Sequence, residues 1–123
     1  MTPGDQPEMH GPHLLLYRLV ESSPPTLYDF TSQEVRGRPL RFRSARALRL
    51  WSGLSVYRRW LDAASLGSRS PALGAFIAEL RGPLNGSIRF ELDNGANGHC
   101  TIWGPPEVLL DFVVSVAPID GVH

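Results

Sequence analysis

The chain has 123 residues, 42% of them apolar and 20% charged, which is typical of a soluble globular protein with one hydrophobic core and excludes wholesale disorder. The single cysteine, Cys100, excludes an intrachain disulfide and a multi-thiolate metal site, and it favours a reduced, cytoplasmic location. No apolar run reaches the roughly 20 residues that a membrane-spanning helix needs.

Residues 1–12 are rich in proline, glycine and acidic residues, which predicts a disordered lead-in without the apolar segment of a secretory signal. A single globular domain is expected over residues 13–120. Within it, six short apolar or alternating runs predict strands. These runs are residues 13–20, 54–57, 75–80, 88–92, 99–103 and 113–119.

Helices are predicted between these strands from capping residues and from glycine or proline at their ends. They cover residues 27–36, 45–51 and 58–66, with a fourth beginning at Pro106. Gly67 is expected to end the third helix. The predicted fold is therefore α+β, with a mixed or antiparallel sheet of five or six strands and three to four short helices packed against it.

Two further expectations concern the sheet. The runs Leu14–Val20 and Val113–Ala117 are almost continuously apolar, which predicts that both strands lie inside the sheet. In residues 88–92, alternation directs Ile88, Phe90 and Leu92 towards the core.

Charge is strongly segregated along the chain. All twelve basic residues are arginines, eight of them lie between Arg36 and Arg59, and no acidic residue falls between Glu34 and Asp62. Guanidinium groups bind phosphates and carboxylates in bidentate fashion, so this segment predicts an anionic partner. A zero net charge and a pI near 6.9 disfavour a nucleic acid.

The candidate partner-binding residues are the arginines around the second predicted helix. Arg46 and Arg49 are three positions apart on that helix and share a face, while Arg41 and Arg43 precede it. Aromatic residues are interleaved with these arginines, as in sites that bind nucleotides. The alternative is a solvated face whose arginines pair with the acidic residues of the same chain.

Two polar residues stand out in the first two strands. Arg18 interrupts an apolar strand, and burial of an arginine is costly unless it is paired, so its side chain either points outward or lies in a cleft. Ser55 precedes a helix but has no histidine or acid beside it in sequence, which favours a structural serine over a nucleophile.

The strand His99–Trp103 places His99 and Thr101 on one face and Cys100 and Ile102 on the other. Cys100 and Ile102 are therefore core candidates, and a Cys–His dyad is excluded. His99 is suited to proton transfer near neutral pH. The alternative is a histidine that is exposed or simply hydrogen-bonded. The remaining histidines lie near the termini and predict no metal site.

Three segments in this order resemble small bacterial ADP-ribosyltransferase-like proteins, a family of NAD-using toxins and modifying enzymes. They are Leu16-Tyr17-Arg18, the run Ser52–Tyr57 leading into residues 58–64, and His99–Gly104. The layout is also similar to a group of small bacterial proteins without an established activity.

The resemblance implies that NAD is the cofactor, held by Arg18 at phosphate or ribose. It further implies hydrogen bonds from Ser55, Thr101 and His99, and a stacking role for Tyr57. The family's late-strand glutamate has no counterpart in the run His99–Gly104, and Glu107, at the start of the following helix, is the nearest candidate. Two functions stay open: an NAD-binding domain, active or catalytically impaired, and a non-enzymatic module that docks an acidic protein.

Overall fold

The computed structural model describes residues 13–84, 86–93 and 98–120, so the predicted lead-in lies outside the described residues. Six antiparallel strands form one sheet in the order β4-β5-β2-β1-β3-β6. The strands are β1 (His13–Val20), β2 (Leu54–Tyr57), β3 (Phe76–Pro83), β4 (Arg89–Leu92), β5 (His99–Trp103) and β6 (Val113–Pro118). The helices in the described ranges are α1 (Ala45–Ser52), α2 (Trp60–Arg69) and α3 (Pro106–Asp111), with 3-10 turns at Leu27–Phe30 and Pro71–Leu73. The predicted α+β class is confirmed.

The two strands predicted to be central have different positions. β1 lies between β2 and β3 and pairs with β3 along its whole length. β6 pairs with β3 and forms an edge of the sheet, and Val114 is exposed, so the prediction of a central β6 is wrong. A short apolar run shows that a strand touches the core, but it does not determine how many strands flank it.

The helices depart from prediction at two places. α2 continues past Gly67 to Arg69, because Gly67 is a packing position rather than a stop: a Cβ there would lie 2.5 Å from Ile119 and 2.8 Å from Leu19. The predicted helix 27–36 shrinks to a 3-10 turn, Leu27–Phe30, followed by hydrogen-bonded turns. The carboxylate of Asp29 accepts N–H groups from both Glu21 and Thr26 and anchors this loop.

Apolar side chains cover both faces of the sheet. On one face, Leu16, Val56, Cys100 and Ile102 pack in a cluster that also contains Phe30 of the 3-10 turn and Leu109 of α3. On the other, α2 contributes Ala63 to a cluster completed by Leu19, Tyr57 and Ile77. The predicted core positions Cys100 and Ile102 are thus confirmed.

The alternation predicted for the fourth strand is only partly correct. Ile88 is buried, but Leu92 is 59% exposed. β4 is a four-residue edge strand, so the end that carries Leu92 receives little cover. Among the described residues, no helix has the length and apolar character that a membrane crossing requires.

Candidate active-site cleft

The sheet separates between its two central strands. β1 and β2 share one residue pair, Tyr17 with Tyr57, whereas β1 pairs with β3 at eight positions. Beyond that single pair, the side chain of Arg18 spans the gap. Its Nε donates to the carbonyl of Asp29 at 2.8 Å, and its Nη1 donates to the carbonyl of Ser55 at 2.8 Å.

The guanidinium of Arg18 lies in an electrostatically unfavourable position. Burial, followed by repulsion from Arg36, lowers the pKa of Arg18 to about 10, although Asp29 acts in the opposite direction. The group is still cationic at neutral pH. An anion placed beside it would stabilise that charge, because an opposite charge favours the ionised form.

Three polar side chains form a continuous hydrogen-bonded chain on the α2 face of the sheet. Nε2 of His99 lies 2.9 Å from Oγ of Ser55, and Nδ1 of His99 lies 2.7 Å from Oδ2 of Asp93. Antiparallel pairing of β2 with β5 aligns Ser55 with Thr101 and Tyr57 with His99. Ser55 and His99 are therefore diagonal neighbours on one face, at a separation that side chains bridge readily.

Among these three hydrogen-bonded side chains, that of Asp93 is the most deeply buried, with 3% exposed. Its other oxygen, Oδ1, accepts from Arg46 at 3.2 Å and from Arg49 at 3.1 Å. Burial by itself would raise the pKa of Asp93, but the hydrogen bond to His99 and the nearby positive charges outweigh it and lower that pKa. Asp93 is therefore a carboxylate at neutral pH.

The ionised Asp93 determines which nitrogen of His99 carries the proton. A carboxylate only accepts hydrogen bonds, so Nδ1 of His99 must donate to it. In the neutral imidazole, Nε2 then accepts the hydroxyl proton of Ser55. This arrangement makes His99 a proton acceptor for Ser55, a relationship that no sequence neighbour of Ser55 indicated.

Two adjoining cavities, of about 300 and 420 Å³, flank this chain of side chains. They share Gln33, Leu50, Ser55, Tyr57 and Leu66 as walls. The smaller cavity is lined by Arg18, Arg36 and Arg38, and the larger one by Arg46, Arg69, Asp93 and His99. The structure thus places the predicted residues Ser55 and Tyr57 in the wall that the two cavities share, with Arg18 lining the smaller cavity and His99 the larger one.

Two predicted site residues contact the cleft less directly than expected. The ring of Tyr57 is buried in the α2 cluster and meets the His99 imidazole edge-on, with ring centroids 5.4 Å apart. Only 6% of Tyr57 is exposed, although the residue lines both cavities. Thr101 is 1% exposed and does not line either cavity, and its hydroxyl has no partner among the described residues.

Glu107 is not brought to the cleft. It is exposed in the first turn of α3, and α3 packs against the 3-10 turn on the opposite face of the sheet through Leu109 and Phe30. α3 therefore places no glutamate beside His99. The carboxylate that does meet His99, Asp93, was not predicted as a site residue.

A sequence signal for Asp93 existed in the hairpin. Strands 88–92 and 99–103 are joined by a turn-rich segment, and the antiparallel pair brings their facing ends together: the amide of Asp93 donates to the carbonyl of His99 at 3.2 Å. A residue that follows one strand of a hairpin is expected opposite the residue that begins the next. Pairing the two strands would have placed Asp93 beside His99.

The four predicted partner-binding arginines divide into two pairs. Arg46 and Arg49 bind Asp93 within the chain. Arg41 and Arg43 are exposed and make no ion pair with any described residue. The side chains within the described ranges include no group of three or more residues suited to hold a metal ion.

Comparison of the chain with protein-family models, with curated proteins and with solved structures gave no significant match.

Proposed function

We propose that the cleft binds NAD or a related pyrophosphate-containing nucleotide, as an ADP-ribosyltransferase-like domain would. The observation that carries the proposal is the separation of β1 from β2 after one residue pair. Beside this separation lie two cavities that share Ser55, one lined by Arg18 and the other by His99. The two parts of the cleft differ in character, which suits a ligand with unlike halves.

The smaller cavity would hold the anionic part of the ligand. Arg18, Arg36 and Arg38 line it and outnumber its two acidic residues, Glu21 and Asp29. Arg38 makes no side-chain hydrogen bond or ion pair with any described residue, and Arg18 uses only Nε and Nη1 internally. Donors that have no internal partner bind a pyrophosphate at the smallest cost, since no existing bond must be broken.

The larger cavity would hold a ring and sugar of the ligand. Leu50 and Leu66 provide apolar walls, while Ser55, His99 and Gln33 provide hydrogen-bonding groups. The side chain of Gln33 lines both cavities and has no hydrogen bond to the described residues. A few convergent polar groups on apolar walls are typical of small-molecule sites.

Transfer of ADP-ribose is the less supported half of the proposal. The resemblance implies a role for a late-strand glutamate. Glu107, the nearest candidate in the sequence, does not lie at the cleft and cannot take that role. His99, held by Asp93, is the available proton acceptor. Binding with loss of transfer activity is therefore the form of the proposal that these residues support best.

Calorimetric titration with NAD tests the proposal. The Arg38→Gln variant is expected to weaken binding by about tenfold or more, because a hydrogen bond to a charged group contributes about 1.5–3 kcal/mol. Arg41→Gln, outside the cleft, is the matched control and is expected to bind like the wild type. Absence of heat with NAD and ADP-ribose, in a folded protein, would contradict the proposal.

A second candidate function, docking of an acidic protein, is favoured by one surface feature. Phe42 is 72% exposed and lies between Arg41 and Arg43. An exposed aromatic residue flanked by two arginines without internal partners is the composition of an interface anchor. Fluorescence anisotropy with a labelled acidic peptide tests it: binding should weaken with salt and disappear in an Arg41→Gln/Arg43→Gln variant while NAD titration is unchanged.

A further inference from the structure

The side chains of Ser55, His99 and Asp93 are linked in the order that activates a serine. The oxygen of Ser55 lies 2.9 Å from one ring nitrogen of His99, and the other ring nitrogen lies 2.7 Å from a carboxylate oxygen of Asp93. Both distances are within the range of a working nucleophile–base–orienter set. Such sets are recognised by geometry and not by order in the chain.

We infer that Ser55 is an activated nucleophile, with His99 as its general base and Asp93 as the positioning residue, and that it accepts an acyl group from an ester or thioester. This inference does not rest on NAD binding. It adds an activity that the resemblance to ADP-ribosyltransferase-like proteins does not include.

Access to the nucleophile supports this assignment. Ser55 is only partly buried and is a wall residue of both cavities, so a reacting carbonyl can approach its oxygen from the cleft. Asp93, by contrast, is held away from solvent between Arg46 and Arg49. His99 is therefore held at Nδ1 by Asp93, while Ser55 lies in the wall of both cavities.

The reaction proceeds in two balanced steps. Oγ of Ser55 attacks the carbonyl carbon as its proton passes to Nε2 of His99, and the alcohol or thiol leaves with that proton. Water, deprotonated by Nε2, then cleaves the acyl–Ser55 bond and restores the serine hydroxyl. Gln33, an exposed residue that lines both cavities and whose amide has no hydrogen-bond partner among the described residues, would be the donor to the oxyanion.

The walls of the cleft define the substrate class. The arginine-lined cavity on one side of Ser55 favours an acyl or alcohol portion with a carboxylate or phosphate. A carboxylate-bearing ester such as p-nitrophenyl hydrogen succinate should therefore react faster than neutral p-nitrophenyl acetate. Arg38→Gln should reduce the rate for the charged ester by about tenfold and so lower the ratio of the charged-ester rate to the neutral-ester rate.

Labelling with a fluorophosphonate tests the nucleophile directly. Oγ forms a bond to phosphorus, the P–F bond breaks, fluoride leaves, and the serine proton passes through His99 to water. Peptide mass spectrometry should find the added mass on Ser55. Ser65, which lines the same cavity but has no histidine partner, is the internal control and should stay unlabelled, and Ser65→Ala should label like the wild type.

Variants separate activation from folding. His99→Gln should slow labelling by about 10³-fold or more, and Asp93→Asn by about 10³–10⁴-fold. The role of Asp93 has its own readout: ¹⁵N NMR of the imidazole should show a proton on Nδ1 in the wild type and a changed tautomer ratio in Asp93→Asn.

Two results would overturn the inference: no labelling of Ser55 above that of other serines, or labelling that is equally fast in folded His99→Gln. Neither result bears on NAD titration, which uses the unmodified protein. Conversely, loss of NAD binding in Arg38→Gln with unchanged fluorophosphonate labelling would leave the nucleophile intact and separate the two proposals.

Discussion

The guanidinium of Arg18 donates to the carbonyl oxygen of Ser55 at 2.8 Å, so a side chain from β1 occupies the gap where the backbones of β1 and β2 separate. The same group donates to the carbonyl of Asp29. Arg18 therefore joins the second strand to the 3-10 turn while lining the cleft. Its structural role uses Nε and Nη1, so Nη2 of the same guanidinium is the donor left for a ligand.

Arg18→Met is expected to lower the free energy of unfolding by about 2–3 kcal/mol, because two carbonyl groups lose charged donors. Arg38 lines the same cavity, and its side chain makes no hydrogen bond to the described residues. Arg38→Met is therefore expected to change the free energy of unfolding by less than about 0.5 kcal/mol. Urea denaturation of the two variants measures the difference. Equal stability would show that the bonds of Arg18 contribute nothing to the fold.

Acid should destabilise the protein partly through Asp93. The pKa of Asp93 is lower in the folded protein than its ordinary value, so its stabilisation is fully present above the unfolded pKa of about 3.9. It is lost as the pH falls through the lower folded value. Thermal midpoints measured from pH 6 to pH 2 should fall less steeply below about pH 4 in Asp93→Asn than in the wild type. Parallel curves would contradict this assignment.

Gly74 is a position where only glycine fits. Its φ is +144°, and a Cβ would lie 2.4 Å from the carbonyl oxygen of Val20. Gly74→Ala is therefore expected to lower the free energy of unfolding by about 2 kcal/mol or more, since both backbone strain and a backbone clash result. Gly86→Ala is the control, because a Cβ there meets nothing within 4 Å. Chemical denaturation of both variants decides the point.

Substitution of Thr101, a polar residue on β5, tests whether its hydroxyl binds the ligand or only fills space. Its hydroxyl is buried without a partner among the described residues. Thr101→Val is expected to stabilise the protein by about 1 kcal/mol, because the cost of the desolvated hydroxyl disappears. The melting temperature should rise and NAD titration should stay unchanged. A loss of stability would indicate that this hydroxyl has a partner in solution.

The short-range features of the fold follow from local chemistry. Ser44 caps α1, and its hydroxyl accepts the amide of Ala47. The alternation of His99–Trp103 correctly assigned Cys100 and Ile102 to the core. Periodicity and capping depend on a few adjacent residues, so a sequence reveals them directly.

The sequence by itself determined the α+β class, the presence of six strands and the unusual arginine in β1. Only the tertiary structure decided that β6 lies at an edge, that Gly67 packs inside a helix, and that Glu107 lies on the opposite face from His99. It also brought Asp93 and Ser55 to the two nitrogens of one imidazole, across separations of 6 and 44 residues. These outcomes depend on strand order and register, which are set by the packing of distant segments and not by the composition of any one of them.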